Sequence, residues 1–308
     1  VPFLPISPQR PAYNPGDNRR AVVVKRLLFM VFAALVVGGI AAAVWFNLPV
    51  TRTESQLDDV PTSTAPVASN DRFAELVRTD PLAAFQASVA AYPRTGFTAE
   101  FRKRERMGGK LAEEEVIRVS VQDDPYSVLM IWQQGGGAGQ GTLYVKGQNA
   151  GKMKVWMFRK LIQDIDPQGF VPKQSARYTI EEFGIEQSTK RTLRAWAAAK
   201  EAGELQFEYL GRKAVPEAGG RECFVLKRTS STDTIDPFVT GGPAVAVTDK
   251  NRKDSFRTVT VYLDCETRLQ VGTEQHRHDG ELTASYWFRD VNLKPNFDTD
   301  TFTTKSFQ

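Results

Sequence analysis

The 308 residues carry 40 Lys+Arg against 36 Asp+Glu, a formal charge of +4, and 41% of them are hydrophobic. Five of the basic groups and one acid lie in residues 1–50, leaving 35 of each sign in residues 51–308. The basic balance therefore belongs to a short leader and excludes a nucleic-acid footprint over the remainder.

Residues 1–26 form that leader, with Arg10, Arg19, Arg20, Lys25 and Arg26. Residues 27–46, "LLFMVFAALVVGGIAAAVWF", are apolar without a charge and long enough, at about 1.5 Å per residue, to cross a hydrocarbon core of about 30 Å. Few basic groups follow, so the amino terminus is expected inside and the bulk of the chain in the periplasm or outside, in a single pass through the inner membrane. The alternative is a cleaved signal peptide ending near Ala41-Ala42-Ala43, which exports the same residues. Residues 47–70, polar and with Pro61 and Pro66, read as a flexible linker to an exported domain over 71–308.

Helical spacing follows in Phe73, Leu76 and Val77, then in Leu82, Phe85 and Val89 behind Pro81, with Asp80 as cap. Thr179-Ile-Glu-Glu182 matches a capping box for a helix reaching Gly203, with a break at Gly184 and a buried stripe of Leu193, Trp196 and Ala197. The rest alternates with period two: Phe97/Ala99/Phe101, Ile117/Val119/Val121, Met153/Val155/Met157, Leu205/Phe207/Tyr209 and Val259/Val261/Leu263 each mark one strand face. "YSVLMIW", residues 126–132, is apolar on both parities and fits a strand covered on both sides. The fold class is α+β, a strongly curved antiparallel sheet of about ten strands in a half-open barrel, with two or three helices over its concave face.

The tempting chemical motifs do not carry chemistry. "GGGAGQG", residues 135–141, lacks the Lys-Ser/Thr of a phosphate loop and reads as a hairpin loop, so no cofactor is expected. There is no nucleophile elbow, and no enzyme is expected. The alternating charges of "EFRKRERMGGKLAEEE" read as a basic and an acidic strand pairing across a hairpin. His276 and His278 flank Asp279-Gly280, read as a two-residue turn that pairs His278 with Glu281, His276 with Thr283, Glu274 with Ser285 and Gly272 with Trp287. That register puts both imidazoles on a polar face, and no metal site is expected there.

Cys223 and Cys265 end neighbouring apolar runs in the exported part, which makes a disulfide the first hypothesis and two separate buried thiols the second. Ten strands at about 4.8 Å make a sheet about 48 Å wide, whereas three helices at about 10 Å cover about 30 Å. The surplus apolar face implies either an apolar cavity or tight curvature with a filled core. The residues expected to line a cavity are Phe101, Val119, Met153, Val155, Met157, Phe207, Leu282, Tyr286 and Phe288.

"GFTAEFRKRERMGGKL", "DPYSVLMIW", "GTLYVKGQNAGKMKV", "VYLDCETRLQVGTEQHRHDGEL" and "SYWFRDVNLKPNFDTDTF" resemble, in pattern and order over about residues 74–306, a family of exported bacterial proteins of unknown function. That family is similar to the periplasmic lipoprotein carriers LolA and LolB. The resemblance implies a lipid-binding interior under a helical lid and brings no catalytic residues. The apolar segment 27–46 and the unmatched stretch 228–254 depart from it. Two functions remain open: a membrane-tethered binder of lipid or lipoprotein acyl chains, and an envelope sensor or scaffold that binds a protein partner. A reporter enzyme active only in the cytoplasm, fused after Gln308, is expected to be inactive; activity would overturn the topology.

Overall fold

The computed structural model describes residues 70–137, 139–158, 161–237 and 246–307. The leader, the apolar segment 27–46 and nearly all of the linker lie outside the described residues, among which no helix is long and apolar enough to cross a membrane. Among the described residues the α-helices are α1 (Asn70–Thr79), α2 (Pro81–Ala91), α3 (Phe170–Ser175) and α4 (Ile185–Glu201). The strands are β1 (Phe97–Met107), β2 (Lys110–Leu111), β3 (Glu115–Asp123), β4 (Tyr126–Gln134), β5 (Gly139–Val145), β6 (Met153–Met157), β7 (Ile162–Ile165), β8 (Gln206–Val215), β9 (Arg221–Thr234), β10 (Phe256–Asp264), β11 (Gln270–His276) and β12 (Leu282–Asn292).

They form one antiparallel sheet in the order β7-β6-β5-β4-β3-β1-β12-β11-β10-β9-β8, with β2 paired to β1. Two five-strand meanders thus flank β1: the first leads outward from β1 to β7, and the second begins at the far edge and returns through β12 to β1. Phe101 pairs with Phe288 at that join. Within each meander consecutive strands are neighbours and antiparallel, whereas residues 166–205, which include α3 and α4, carry the chain from β7 at one edge to β8 at the other.

Asp80 caps α2 as expected, accepting from the Ala83 N–H at 3.2 Å, with Pro81 in the first turn. The buried face of α2 is Pro81, Ala84, Phe85 and Ser88, one residue round from the spacing of Leu82, Phe85 and Val89. Thr179 caps only a 3-10 turn, Ile180–Glu182; Gly184 breaks the chain, and α4 begins behind it. Leu193 and Trp196 are buried as expected, with Ala199 in place of Ala197 completing the stripe. The indole of Trp196 meets Phe85 edge-on at 5.0 Å and Phe207 at 6.0 Å, which fixes α2 and α4 over the second meander.

β4 is covered on both faces, as its double-parity pattern requires. Val128 and Met130 enter one core, while Leu129 and Ile131 face Leu143, Val145 and Phe307. The second cover is the carboxy-terminal segment, not a helix: Phe307 stacks on Trp156 at 5.8 Å. Much of the surplus sheet face is therefore covered by irregular chain, which counting helices alone omits.

The His276 hairpin needs a correction near its turn. The Gly280 N–H bonds to the Arg277 carbonyl and the Arg277 N–H to that of Glu281, a three-residue loop with Gly280 at φ 86°. Glycine takes this positive φ without a Cβ clash. His276 therefore faces Leu282 and not Thr283, and a bulge, beyond which Gln275 faces Ala284, restores the expected Glu274–Ser285 and Gly272–Trp287 pairs. A Cβ on Gly272 would meet the Trp287 ring at 2.2 Å, so that indole lies flat across β11 only because position 272 has no side chain.

The expected disulfide is absent: Cys223 and Cys265 are both free. Their strands are neighbours, but Cys223 pairs with Asp264, which places Cys265 one residue out of register. Successive strand residues point to opposite sheet faces. Cys223 accordingly packs with Val215, Val271 and Trp287, and Cys265 with the core on the other face. Burial pushes the Cys223 thiol up to about 12, with Asp264 adding to the shift. Alkylation of native protein is expected to modify Cys265 and spare Cys223, with both modified once the chain is unfolded without reductant; a single mass step on reduction would contradict this.

Candidate functional site

The helix-covered face of the sheet holds two apolar cores. One contains Phe97, Phe101, Ile117, Val119, Val128, Met130 and Phe288; the other contains Phe73, Phe85, Leu193, Trp196, Phe224, Leu226, Val261 and Leu263. The nine expected cavity residues divide between these cores and a strand near the edge. Phe101, Val119 and Phe288 belong to the first core, with Tyr286 against it, and Phe207 packs on the second. Met153 is buried on β6, Val155 and Met157 are half-buried there, and Leu282 is half-buried beside the histidine turn. Around Tyr92, Phe97, Tyr126, Phe183 and Ile185 the free volume is ≈ 10 Å³, room for about one water molecule.

The first core is closed by a strap, residues 176–184, that runs from α3 to α4. Phe183 packs edge-on to Phe101 at 5.0 Å and lies 5.8 Å from Phe288. The Tyr126 hydroxyl reaches the carbonyls of Phe183 and Ile180 at 2.7 and 3.0 Å, and the Tyr144 hydroxyl donates to Glu181 at 3.2 Å. Tyrosines from two strands thus hold a segment whose own regular structure is one 3-10 turn.

Arg177 anchors the strap's other end through a buried polar network. Its side chain is fully buried (0% exposed), and its Nε and Nη2 lie 2.8 and 2.7 Å from Oδ2 of Asp236. Nη1 donates to the Arg106 carbonyl at 3.0 Å and Nη2 to that of Asp254 at 2.9 Å. Asp236 also accepts from the Tyr178 hydroxyl at 2.7 Å, and the Gln275 amide donates to that hydroxyl at 2.9 Å. Glu105 accepts from Lys103 at 2.9 Å, from the Tyr286 hydroxyl at 2.7 Å and from the Arg177 N–H at 3.2 Å. Lys103 also lies 3.6 Å from Glu115, whose other oxygen accepts from the Trp132 indole at 2.6 Å. The charge runs read as hairpin pairing do pair: Lys103 faces Glu115 across β1 and β3, and Arg102 bonds Glu114 at 3.1 Å.

Burial alone works against every charge in this network. For Glu105 it raises the pKa, but Lys103 and the Tyr286 and Arg177 hydrogen bonds outweigh it and hold the carboxyl below its ordinary 4.5. Burial lowers Lys103, and Glu105 and Glu115 reverse that and hold it above 10.5. Burial, then Asp236, raises Tyr178 above 10.0, and burial, then Glu105, raises Tyr286. For Arg177 burial again opposes the charge, and Asp236 more than compensates.

None of Lys103, Glu105, Arg177, Tyr178, Asp236 and Gln275 stands among the expected site residues. A signal existed on β1, where the parity of Phe97, Ala99 and Phe101 continues into Lys103 and Glu105, so the buried face becomes ionic halfway along the strand. Arg177 and Asp236 lie in irregular chain, where periodicity gives no sign of burial.

Removing one partner of a buried ion pair leaves the other unpaired. Arg177→Ala is expected to destabilise the domain by about 3–5 kcal/mol in denaturant unfolding. Glu105 has the opposite sign at the two ends of the pH scale from Lys103 and the tyrosines. Its lowered pKa gives stability present above about 4.5 and lost as pH falls through the folded-state value; their raised values give stability lost as pH rises past about 10. Glu105→Gln is expected to be less stable at neutral pH and to lose less stability on acidification; an unchanged acid limb would refute the assignment.

No curated protein matches the chain. Solved structures similar to it include a putative outer membrane lipoprotein-sorting protein domain from Vibrio parahaemolyticus, 12% identical, covering 73% of this chain and 97% of that one, with a TM-score of 0.33. The lipoprotein LppX of Mycobacterium tuberculosis is 14% identical, with 71% and 100% coverage and a TM-score of 0.40. A chain in the MucA/MucB complex of Pseudomonas aeruginosa is 15% identical, with a TM-score of 0.41; 73% of this chain is covered, and the match spans 61% of that one. The resemblance to a family of unknown function has its counterpart in residues 94–239, which match the family described as Protein of unknown function (DUF1571).

Proposed function

We propose that the described domain binds acyl chains of lipids or lipoproteins, held at the inner membrane by residues 27–46 with its bulk in the periplasm. The observation that supports this is the strap. The wall of Phe101, Val119 and Phe288 is closed by Phe183 and Ile180, side chains from a nearly irregular segment. A chain that displaces them meets an aromatic and aliphatic wall without dismantling the sheet ladder. Met153, Val155 and Met157 extend the same face toward the β7 edge, and the flexible thioethers of the two methionines suit ligands of variable shape. Displacing Phe183 and Ile180 takes their carbonyls from the Tyr126 hydroxyl, while Arg177 holds the strap's other end.

The filled space around Phe97 favours a second reading, in which the domain binds a protein on its surface and the strap stays closed. Lipid extraction and native mass spectrometry of the purified chain distinguish the two. The acyl-chain reading expects co-purifying lipid, more of it in Phe183→Ala, and its loss in Met157→Glu with the fold retained. Absence of lipid from both wild type and Phe183→Ala would leave the protein-binding reading.

A further inference from the structure

The covered face of β1 changes from apolar to ionic in one step. Phe101 pairs with Ile117 on β3, and the next pair on the same face, two residues on, is Lys103 with Glu115. On β4, Trp132 stands opposite Ile117 and packs against the first core, and its indole N–H reaches Glu115 at 2.6 Å. Lys103, Glu115 and Trp132 therefore border the wall of Phe101 and Val119 directly, on three adjacent strands. This border is also where the buried network meets water. Side-chain exposure rises from 0% at Arg177 through 6% at Glu105 and 11% at Lys103 to 21% at Glu115, and Trp132 is half-buried. The Lys103 ammonium serves two carboxylates: it bonds Glu105 at 2.9 Å and leaves Glu115 at 3.6 Å. Glu115 is thus the less tightly held of the two and the one a ligand can reach.

We propose that the acyl chains taken by the wall belong to molecules whose polar head carries a primary ammonium, received by Glu115 and Trp132 while acceptor oxygens of the head lie against Lys103. The inference rests on the acyl-chain reading above and adds the head to it. A carboxylate beside an indole suits an ammonium, because the carboxylate supplies charge and an acceptor and the ring an electron-rich face. Ester, amide and phosphate oxygens all accept from the Lys103 ammonium. A head that holds a phosphate and no cation would bring its negative charge to Glu115, with a lysine already shared between two carboxylates to offset it. Two sources bear the favoured chemistry: the phosphoethanolamine head of a phospholipid, and the free amino terminus of a diacylated lipoprotein cysteine.

The test uses the full chain in a non-ionic detergent, stripped of lipid, with native mass spectrometry of equimolar competing ligands. One pair is dioleoyl phosphatidylethanolamine against dioleoyl phosphatidylglycerol; the other is a diacylated lipopeptide with a free amino terminus against the same lipopeptide N-acetylated. The amine form is expected to be taken up about fivefold more in at least one pair, the size of a partly exposed ion pair. Preference in the first pair alone assigns the head to a phospholipid, and in the second alone to a lipoprotein. Glu115→Gln, its fold checked by the unfolding midpoint, is expected to bring the ratio to about one, which separates this site from any lipid held elsewhere on the chain. Trp132→Leu, which removes the aromatic face, should lower the ratio too, so the assignment does not hang on one variant. Equal uptake within both pairs, or a ratio that survives in folded Glu115→Gln, would overturn the proposal and leave acyl-chain binding standing. Uptake of none of the four ligands, by wild type or by Phe183→Ala, would overturn the acyl-chain reading itself.

Discussion

The architecture depends on the neutralisation of one buried guanidinium. Arg177 has no access to water, so each of its N–H groups must find an acceptor within the protein, and those acceptors come from distant places in the chain. Asp236 lies beyond β9, Asp254 precedes β10, and Arg106 lies near the end of β1. One side chain therefore joins β1, the second meander and the strap. Such a network contributes less to net stability than its bonds suggest, because desolvation offsets them. Its contribution is geometric: a strap with almost no secondary structure of its own has one place to lie.

The polar network also separates the two cores on the helix-covered face. On a face of this width a continuous apolar surface would let the covering helices slide. Lys103 and Glu105 interrupt it on β1, Gln275 on β11, and the tyrosines Tyr178 and Tyr286 bridge the two regimes with apolar rings and polar tips. α2 and α4 lie mainly over the second core, with Ala91 and Ile185 at their ends reaching the first, which the strap closes.

Much of this was legible from residue order. Period two located the strands and their apolar faces, because one side of each is buried, and the double parity of residues 126–132 marked a strand with two covers. The covers themselves were not legible: Phe307 and Phe183 come from segments without periodicity. The histidine turn failed for a different reason. Asp-Gly fits both a two-residue turn and a three-residue loop ending in a bulge, and the choice shifts pairing only beside the turn. The cysteines depended on parity across two strands, which needs the register and not just adjacency. Of the candidate site, the apolar wall was readable and its ionic boundary was not, since a mixed charge run reads the same on a solvated face as on a buried one.

The join between β1 and β12 has a consequence for how the chain becomes a sheet. These strands stand nearly two hundred residues apart in sequence yet pair directly, Phe101 against Phe288 and Lys103 against Tyr286. Every other pair on the main path joins strands that are near neighbours in the chain, the longest link being residues 235–255 between β9 and β10; this one closes a far longer loop and is entropically the most expensive. The two meanders can form separately, each with its own core. The wall of Phe101 and Phe288 is complete only when the last strand arrives. A chain that emerges amino-terminal end first therefore keeps one flank of β1 unpaired until β12 has emerged, and for that interval the edge is open to wrong partners.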